Sequence, residues 1–351
     1  MLLYIHIPFC DSKCYYCSFN SYVDKYHLKE KYVEKLCEEL EFELKNNQKH
    51  LKSIFIGGGT PSSIKAQFYE EIFNLLKDYI TNTTEITIEA NPNSATKEWL
   101  EKLYILGANR VSFGVQSFNN DKLRFLGRNH NKNSAISAIQ NAICIGFNSV
   151  NCDIIYGISI DSKELIEEDL RVAAALGVHH ISSYQLTLEE GTKFWNMQEV
   201  CVENEELARF VIDMLKTLGY TQYEISNFAK NNNYKSIHNR GYWEYKEYLG
   251  VGCGAVGRVG NQRYYKPKII EEYLKNPLFK EFEELSKEDI QIEKILLGLR
   301  CEVGFDIDLI VDSNRAKLDL LQEQKKIYIA NNRVYNQDYL LSDEIALYLI
   351  R

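Results

Sequence analysis

Residues 2–17 read LLYIHIPFCDSKCYYC. The first part, Leu2–Ile7, is a run of β-branched and aromatic residues that predicts a strand. Directly after it Cys10, Cys14 and Cys17 fall in the spacing CxxxCxxC. Three thiolates on one loop can grip three corners of a cubane iron–sulfur cluster and leave its fourth iron open.

An open iron can be chelated by the amino and carboxylate groups of S-adenosylmethionine (SAM), and an electron from the cluster can then break a carbon–sulfur bond. The competing readings are chance clustering and a zinc site. Zinc normally closes with a fourth Cys or His, and the nearest candidate, His6, lies inside the strand.

Outward from this stretch, similar short runs recur at Ser53–Ile56, Glu85–Ala90, Arg110–Val115, Val150–Tyr156 and His180–Leu186, separated by segments of helical period. Leu28–Leu44 has apolar residues at three- and four-residue spacing, and Thr96–Leu106 opens on a capping threonine and stops at Gly107. Alternation of this kind predicts an α/β fold with a parallel sheet. Six units suit an open, partial (β/α)6 barrel with ligands at the carboxyl ends of the strands.

The alternation weakens after about Leu188. We therefore divide the chain into a barrel over 1–200, a barrel extension over 201–285 and a small winged-helix-like α+β domain over 286–351. In the last of these, a helix at Glu288–Arg300 precedes a hairpin, Ile327–Leu341, turning near Asn331–Asn332, and then a final helix.

Length and charge narrow the function. The 351 residues carry 41 basic and 49 acidic side chains, a net charge of −8, with no basic block suited to a run of phosphates. Nucleic acid is excluded as a first partner, and the winged-helix-like segment reads as a packing or substrate-covering domain. The N-terminus has neither a positive n-region nor a long apolar h-region, which predicts a cytoplasmic chain. Nine cysteines in such a chain imply metal binding or burial, not a disulfide framework. Cys37, Cys144, Cys152, Cys201 and Cys301 lack spaced partners and read as small buried hydrophobes.

YIHIPFCDSKCYYC is followed in order by GGGTPS from Gly57, IEANP from Ile88, GVQSFN from Gly114, LGRNH from Leu126 and DIIYG from Asp153. This series resembles the HemN/HemW branch of the radical SAM superfamily from Tyr4 to about Gly260. The resemblance implies a [4Fe–4S] cluster on Cys10, Cys14 and Cys17. It implies SAM bound by Gly58, Gly59, Thr60, Glu89, Gln116, Arg128 and Asp153, with Tyr4 and Tyr16 bordering it. Taken singly, each polar residue reads as well as a cap or salt bridge, and the glycines as a tight turn.

Two types share that framework: an oxygen-independent coproporphyrinogen III oxidase, and a HemW-type haem chaperone that binds haem and passes it on. The oxidase type usually continues its cysteine motif as CxxxCxxCxC, whereas this chain has Phe19 there, as the chaperone type does. The long N-terminal extension of the oxidase is missing before Leu2. His238-Asn239-Arg240-Gly241-Tyr242-Trp243 matches the HNxxYW signature of the chaperone group, and an imidazole beside large aromatic rings suits haem iron and a porphyrin face.

The expectation is a haem chaperone with His238 as axial ligand, served by apo-haemoprotein acceptors and an electron donor. Docking on membrane-bound acceptors follows only by analogy. The alternative for His238 is a hydrogen-bonded histidine in a packed aromatic cluster. In YLGVGCGAVG, from Tyr248, Val256 stands where many relatives have histidine, and Cys253 reads as a thiolate donor or as close packing in a glycine-rich turn. No residue identifies a hydrogen-abstraction target.

Overall fold

Leu3, Ile5 and Ile7 are wholly buried, and by strand alternation Tyr4 and His6 face the opposite side of β1 (Leu2–Ile7). The computed structural model, which describes residues 1–202 and 204–350, repeats this pattern in five more parallel strands. They are β2 (Ser53–Gly58), β3 (Glu85–Ala90), β4 (Arg110–Gln116), β5 (Ser149–Tyr156) and β6 (His180–Gln185). Ile54, Ile56, Ile88, Val111, Phe113, Val150 and Ile181 belong to the apolar core beneath the helices. The concave face is polar instead. Glu89 on β3 lies opposite Ser112 on β4, and Asp153 on β5 lies opposite Ser182 on β6.

The covering helices are α1 (Lys29–Asn47), α2 (Tyr69–Leu76), α3 (Lys97–Leu106), α4 (Asn120–Phe125), α5 (Lys132–Ile145) and α6 (Lys163–Ala175). Helix α3 starts where the Thr96 side chain accepts from the Trp99 amide and stops at Gly107, whose φ of 117° a side chain would oppose.

Beyond the sixth strand the sheet keeps growing at both edges. After α7 (Glu205–Thr217), β7 (Thr221–Gln222) and β8 (Asn227–Ala229) add antiparallel next to β6. Helix α8 (Ile237–Trp243) then leads to β9 (Tyr248–Val251), which pairs in parallel with the far side of β1. Strands β10 (Val256–Val259), β11 (Gln262–Tyr265) and, after α9 (Ile270–Lys275), β12 (Glu281–Glu284) continue that edge antiparallel. The order is β12-β11-β10-β9-β1-β2-β3-β4-β5-β6-β8-β7. The first parallel strand is thus central to the sheet.

Residues after 285 build a second apolar core. It contains α10 (Lys287–Leu299), β13 (Phe305–Asp306), α11 (Arg315–Glu323), β14 (Ile327–Ala330), β15 (Arg333–Asn336) and α12 (Ser342–Ile350), with a three-stranded antiparallel sheet ordered β13-β15-β14. Asn331 and Asn332 make the hairpin turn with φ of 51° and 60°, conformations asparagine tolerates. The hairpin is shorter than expected: β15 stops at Asn336, and Tyr339–Leu341 is a single 3-10 turn. This unit is tied to the barrel by Tyr245 Oη donating to Glu293 at 2.7 Å and by backbone bonds Ile225–Arg300 and Glu302–Tyr223, each 2.9 Å. Among the described residues no helix is long and apolar enough to cross a membrane.

Candidate cofactor site and adjoining cleft

The loop after β1 carries the three cysteines over the carboxyl ends of the parallel strands. Cys10, Cys14 and Cys17 are free thiols that line one cavity of about 140 Å³ together with Tyr16, Gly58, Gly59, Thr60, Glu89, Gln116, Arg128 and Asp153. A second chamber of about 330 Å³ shares Tyr16, Cys17, Glu89, Gln116 and Asp153 and runs on to Tyr184. The structure therefore gathers residues spread over 144 positions of sequence, from Cys10 to Asp153, into one site.

The geometry explains each residue type. A Cβ on Gly58 would lie 2.5 Å from the His6 ring, and one on Gly59 2.8 Å from the Phe9 carbonyl. The glycines are required by the close passage of β1 as much as by any ligand. The Gly58 amide donates to Glu89 at 3.1 Å. Arg128 reaches across the rim, donating to Cys14 Sγ at 3.1 Å and to Asn91 Oδ1 at 3.0 Å, with a further bond to the Gly114 carbonyl. Asn91, Ser112 and Tyr184 were not identified from sequence; only Asn91 sits inside a motif that signals it.

Burial pushes the Cys10 and Cys17 thiols up, partly offset at Cys10 by hydrogen bonds from Thr60 and Ser21. A bound metal would deprotonate them outright. Burial and the charge of Asp153 raise Glu89 to about 8. Burial also raises Asp153. Each carboxyl accepts a hydrogen bond, Glu89 from the Gly58 amide and Asp153 from Asn151 Nδ2 at 2.7 Å, and the like charge of Asp153 favours protonation of Glu89.

Gln116 has φ of 67°, a left-handed conformation that costs a non-glycine residue energy. The next residues are clamped: Asp169 accepts from Ser117 Oγ at 2.7 Å and from the Phe118 amide at 2.6 Å. Lys122, itself wholly buried, lies 3.7 Å from Asp169 and 2.7 Å from Asp161. This buried triad holds the turn that aims Gln116 into the chamber.

On the other side of β1 lies a larger cleft of about 770 Å³. Its floor is Tyr4 of β1 together with Tyr248, Val256, Arg258 and Arg263 of the added strands, and its cover is α8 and α10. Tyr4, expected beside SAM, lines this cleft and is absent from the described lining of the two rim chambers. Its hydroxyl bonds His6 Nδ1 at 2.9 Å, and its ring stacks on Phe55 at 6.2 Å. His6 Nε2 in turn bonds the Asn20 carbonyl at 2.8 Å, and burial lowers this histidine to about 4. His6 is therefore neutral and structural.

His238 lies one layer behind the cleft wall. Its Nδ1 is 2.9 Å from Ser53 Oγ, its Nε2 is 3.0 Å from Tyr242 Oη, and its ring packs on Phe55. Burial lowers it to about 3. The first turn of α8 is seated on Glu85, which accepts from the Ile237 and His238 amides at 3.0 Å each. Tyr242, one turn further on, reaches the cleft. Cys253 is buried, with Sγ 3.6 Å from Asn20 Nδ2 and 3.3 Å from the Lys268 carbonyl.

The profile of the Radical SAM superfamily matches residues 4–173. A Buchnera aphidicola protein named "Heme chaperone HemW" is 38% identical over 304 residues, 83% of this chain and 80% of that one. A Bacillus subtilis protein of the same name is 31% identical, with 97% of each chain covered. The chain belongs to the HemW family of radical SAM proteins. The Escherichia coli coproporphyrinogen III oxidase HemN superposes with a TM-score of 0.83 over 99% of this chain and 89% of its own, at 22% identity, and so shares the fold.

Radical SAM membership implies a [4Fe–4S] cluster and SAM, and the donor set of this HemW-family chain fits them. Three free thiols face one cavity, the Arg128 guanidinium stands beside one of them, and the part-buried carboxyls of Glu89 and Asp153 line the same cavity. Among the described residues no three His, Cys, Asp or Glu side chains are grouped to hold a single metal ion. When bound, such a cluster supplies one-electron chemistry at an open iron. Phe19, the residue that sets the motif apart from the oxidase type, borders both rim chambers and the cleft.

Proposed function

We propose that this chain is a haem chaperone, binding haem in the cleft beside β1 and passing it to apo-haemoproteins. The observation that carries this reading is the seating of the HNxxYW helix: Tyr242 forms part of the cleft wall, and His238 is hydrogen-bonded directly behind it. The cleft volume lies in the range of cofactor pockets. Its lining is aromatic and carries Lys246, Arg258, Arg263, Lys268 and Arg300, of which Lys246, Arg263 and Arg300 are already paired with Glu244, with Glu283 and Glu293, and with Asp343. A planar macrocycle bearing two carboxylates matches that lining in a chain whose net charge is −8.

In this reading Cys10, Cys14 and Cys17 hold the cluster. Tyr16, Gly58, Gly59, Thr60, Glu89, Gln116, Arg128 and Asp153 surround SAM. His238 ligates haem iron through Nε2 once Tyr242 has swung aside. The tautomer with Nδ1–H donating to Ser53 Oγ leaves Nε2 free as an acceptor, as a ligating histidine needs. An electron donor and apo-haemoprotein acceptors are the remaining partners.

The test is anaerobic reconstitution with iron and sulfide, followed by haem titration and incubation with an apo-haemoprotein. Binding near one-to-one and transfer to the acceptor support the proposal. Conversion of coproporphyrinogen III to protoporphyrinogen IX, without haem transfer, would replace it with the oxidase reading.

A further inference from the structure

Phe19 is 63% exposed although it sits two residues after a cluster cysteine, and it borders all three cavities: the thiol cavity, the chamber running to Tyr184 and the cleft. Its backbone is held from both sides. Lys13 Nζ donates to the Phe19 carbonyl at 2.6 Å. The next residue, Asn20, accepts from His6 and donates through Nδ2 to the carbonyls of Cys253 at 3.2 Å and Lys268 at 3.0 Å. Gly254 has to be glycine here, because a Cβ would lie 2.5 Å from Asn20 Nδ2. The cluster loop and the glycine-rich wall of the cleft are thus fastened together at Asn20, and an uncovered aromatic ring stands on the join.

We propose that Phe19 is the shared wall through which the SAM chamber and the tetrapyrrole cleft sense each other. A planar tetrapyrrole in the cleft stacks on one side of the ring, and SAM in the chamber limits the ring from the other. The occupant of the cleft is assigned by chemistry: aromatic rings line it, and of its five cations Lys246, Arg263 and Arg300 are paired with carboxylates while Arg258 and Lys268 form no ion pair among the described residues, a lining that suits a flat macrocycle with anionic substituents. This inference rests on the haem reading above. An exposed phenyl ring on a fixed backbone retains side-chain freedom, which the first ligand removes, so the second binds to an already ordered wall. Coupling of this kind is reciprocal: each ligand changes the affinity of the other by the same factor.

The experiment uses the full chain with its cluster reconstituted and oxidised, so that SAM binds without being cleaved. Haem affinity is measured by absorbance titration with and without saturating SAM, and SAM affinity by calorimetry with and without haem, for wild type, Phe19→Ala and Phe19→Tyr. Wild type should bind haem about fivefold or more tightly with SAM present, the lower end of typical coupling, and the reverse factor should agree. Phe19→Ala should keep the cluster absorbance but lose the coupling, with a factor near one, while Phe19→Tyr retains it. Haem binding that ignores SAM in wild type, or coupling that survives in Phe19→Ala, overturns the inference and leaves the chaperone reading standing. No haem binding by wild type removes both.

Discussion

The hydroxyl of Tyr242 is 3.0 Å from Nε2 of His238, so the residue on the cleft wall and the histidine behind it are one latch. Replacing Tyr242 with phenylalanine keeps the ring and frees the nitrogen. We expect Tyr242→Phe to bind haem at least as tightly as wild type and faster, whereas His238→Ala loses about tenfold or more and shifts the haem absorbance band. A stopped-flow titration separates the two, and an unchanged haem spectrum in His238→Ala would remove it as ligand.

Replacing Cys10, Cys14 or Cys17 with alanine should abolish the visible absorbance of the reconstituted cluster, and His238→Ala should spare it. Any cysteine variant that keeps a full cluster by iron and sulfide analysis would sink the ligand assignment.

The buried ion triad gives a stability prediction. Lys122, Asp161 and Asp169 are at most 1% exposed, so Lys122→Met leaves two carboxylates without their cation. Breaking a buried pair in this way typically costs about 3–5 kcal/mol. Urea unfolding should show a loss of that order. Asp169→Asn, which keeps the shape of the side chain, should weaken SAM binding several-fold by loosening the turn that holds Gln116 at positive φ.

Acid sensitivity follows from histidines that burial keeps neutral. His6 is lowered to about 4 and His238 and His130 to about 3, from 6.5. Between those values the unfolded chain binds protons that the folded chain does not, so stability is complete above about pH 6.5 and falls as pH drops toward 3–4. Thermal unfolding across that window should show it in the apo-protein. His238→Gln should reduce the slope by up to one proton, and an unchanged slope would mean that the ring protonates in the folded state.

Most of the parallel sheet was legible because each strand alternates, as Leu3, Ile5 and Ile7 do against Tyr4 and His6, and each is long enough for that period to register. Strands β9 to β11 were not located: they are four residues each, with Gly250 inside β9 and Gly257 inside β10, and exist because β1 has an edge for β9 to join. The family resemblance placed Tyr4 beside SAM. Its ring stacks on Phe55 and lines the cleft, a placement that only the strand's packing reveals. Asp169, Lys122, Asn20 and Glu85 carry no motif and become visible only through the groups they hold.

What the sequence alone determined was local chemistry and its order: a strand, three spaced thiols, and a series of glycine and polar motifs at successive strand ends, all set by side-chain type and short spacing. What the tertiary structure decided was adjacency across long separations. Pairing of β9 with β1 makes the cleft next to the cofactor chambers, and packing of α8 on Ser53, Phe55 and Glu85 buries His238 behind Tyr242. Such contacts depend on burial and hydrogen bonding between segments as far as 248 residues apart, as Asn20 and Lys268 are, and no local period encodes them.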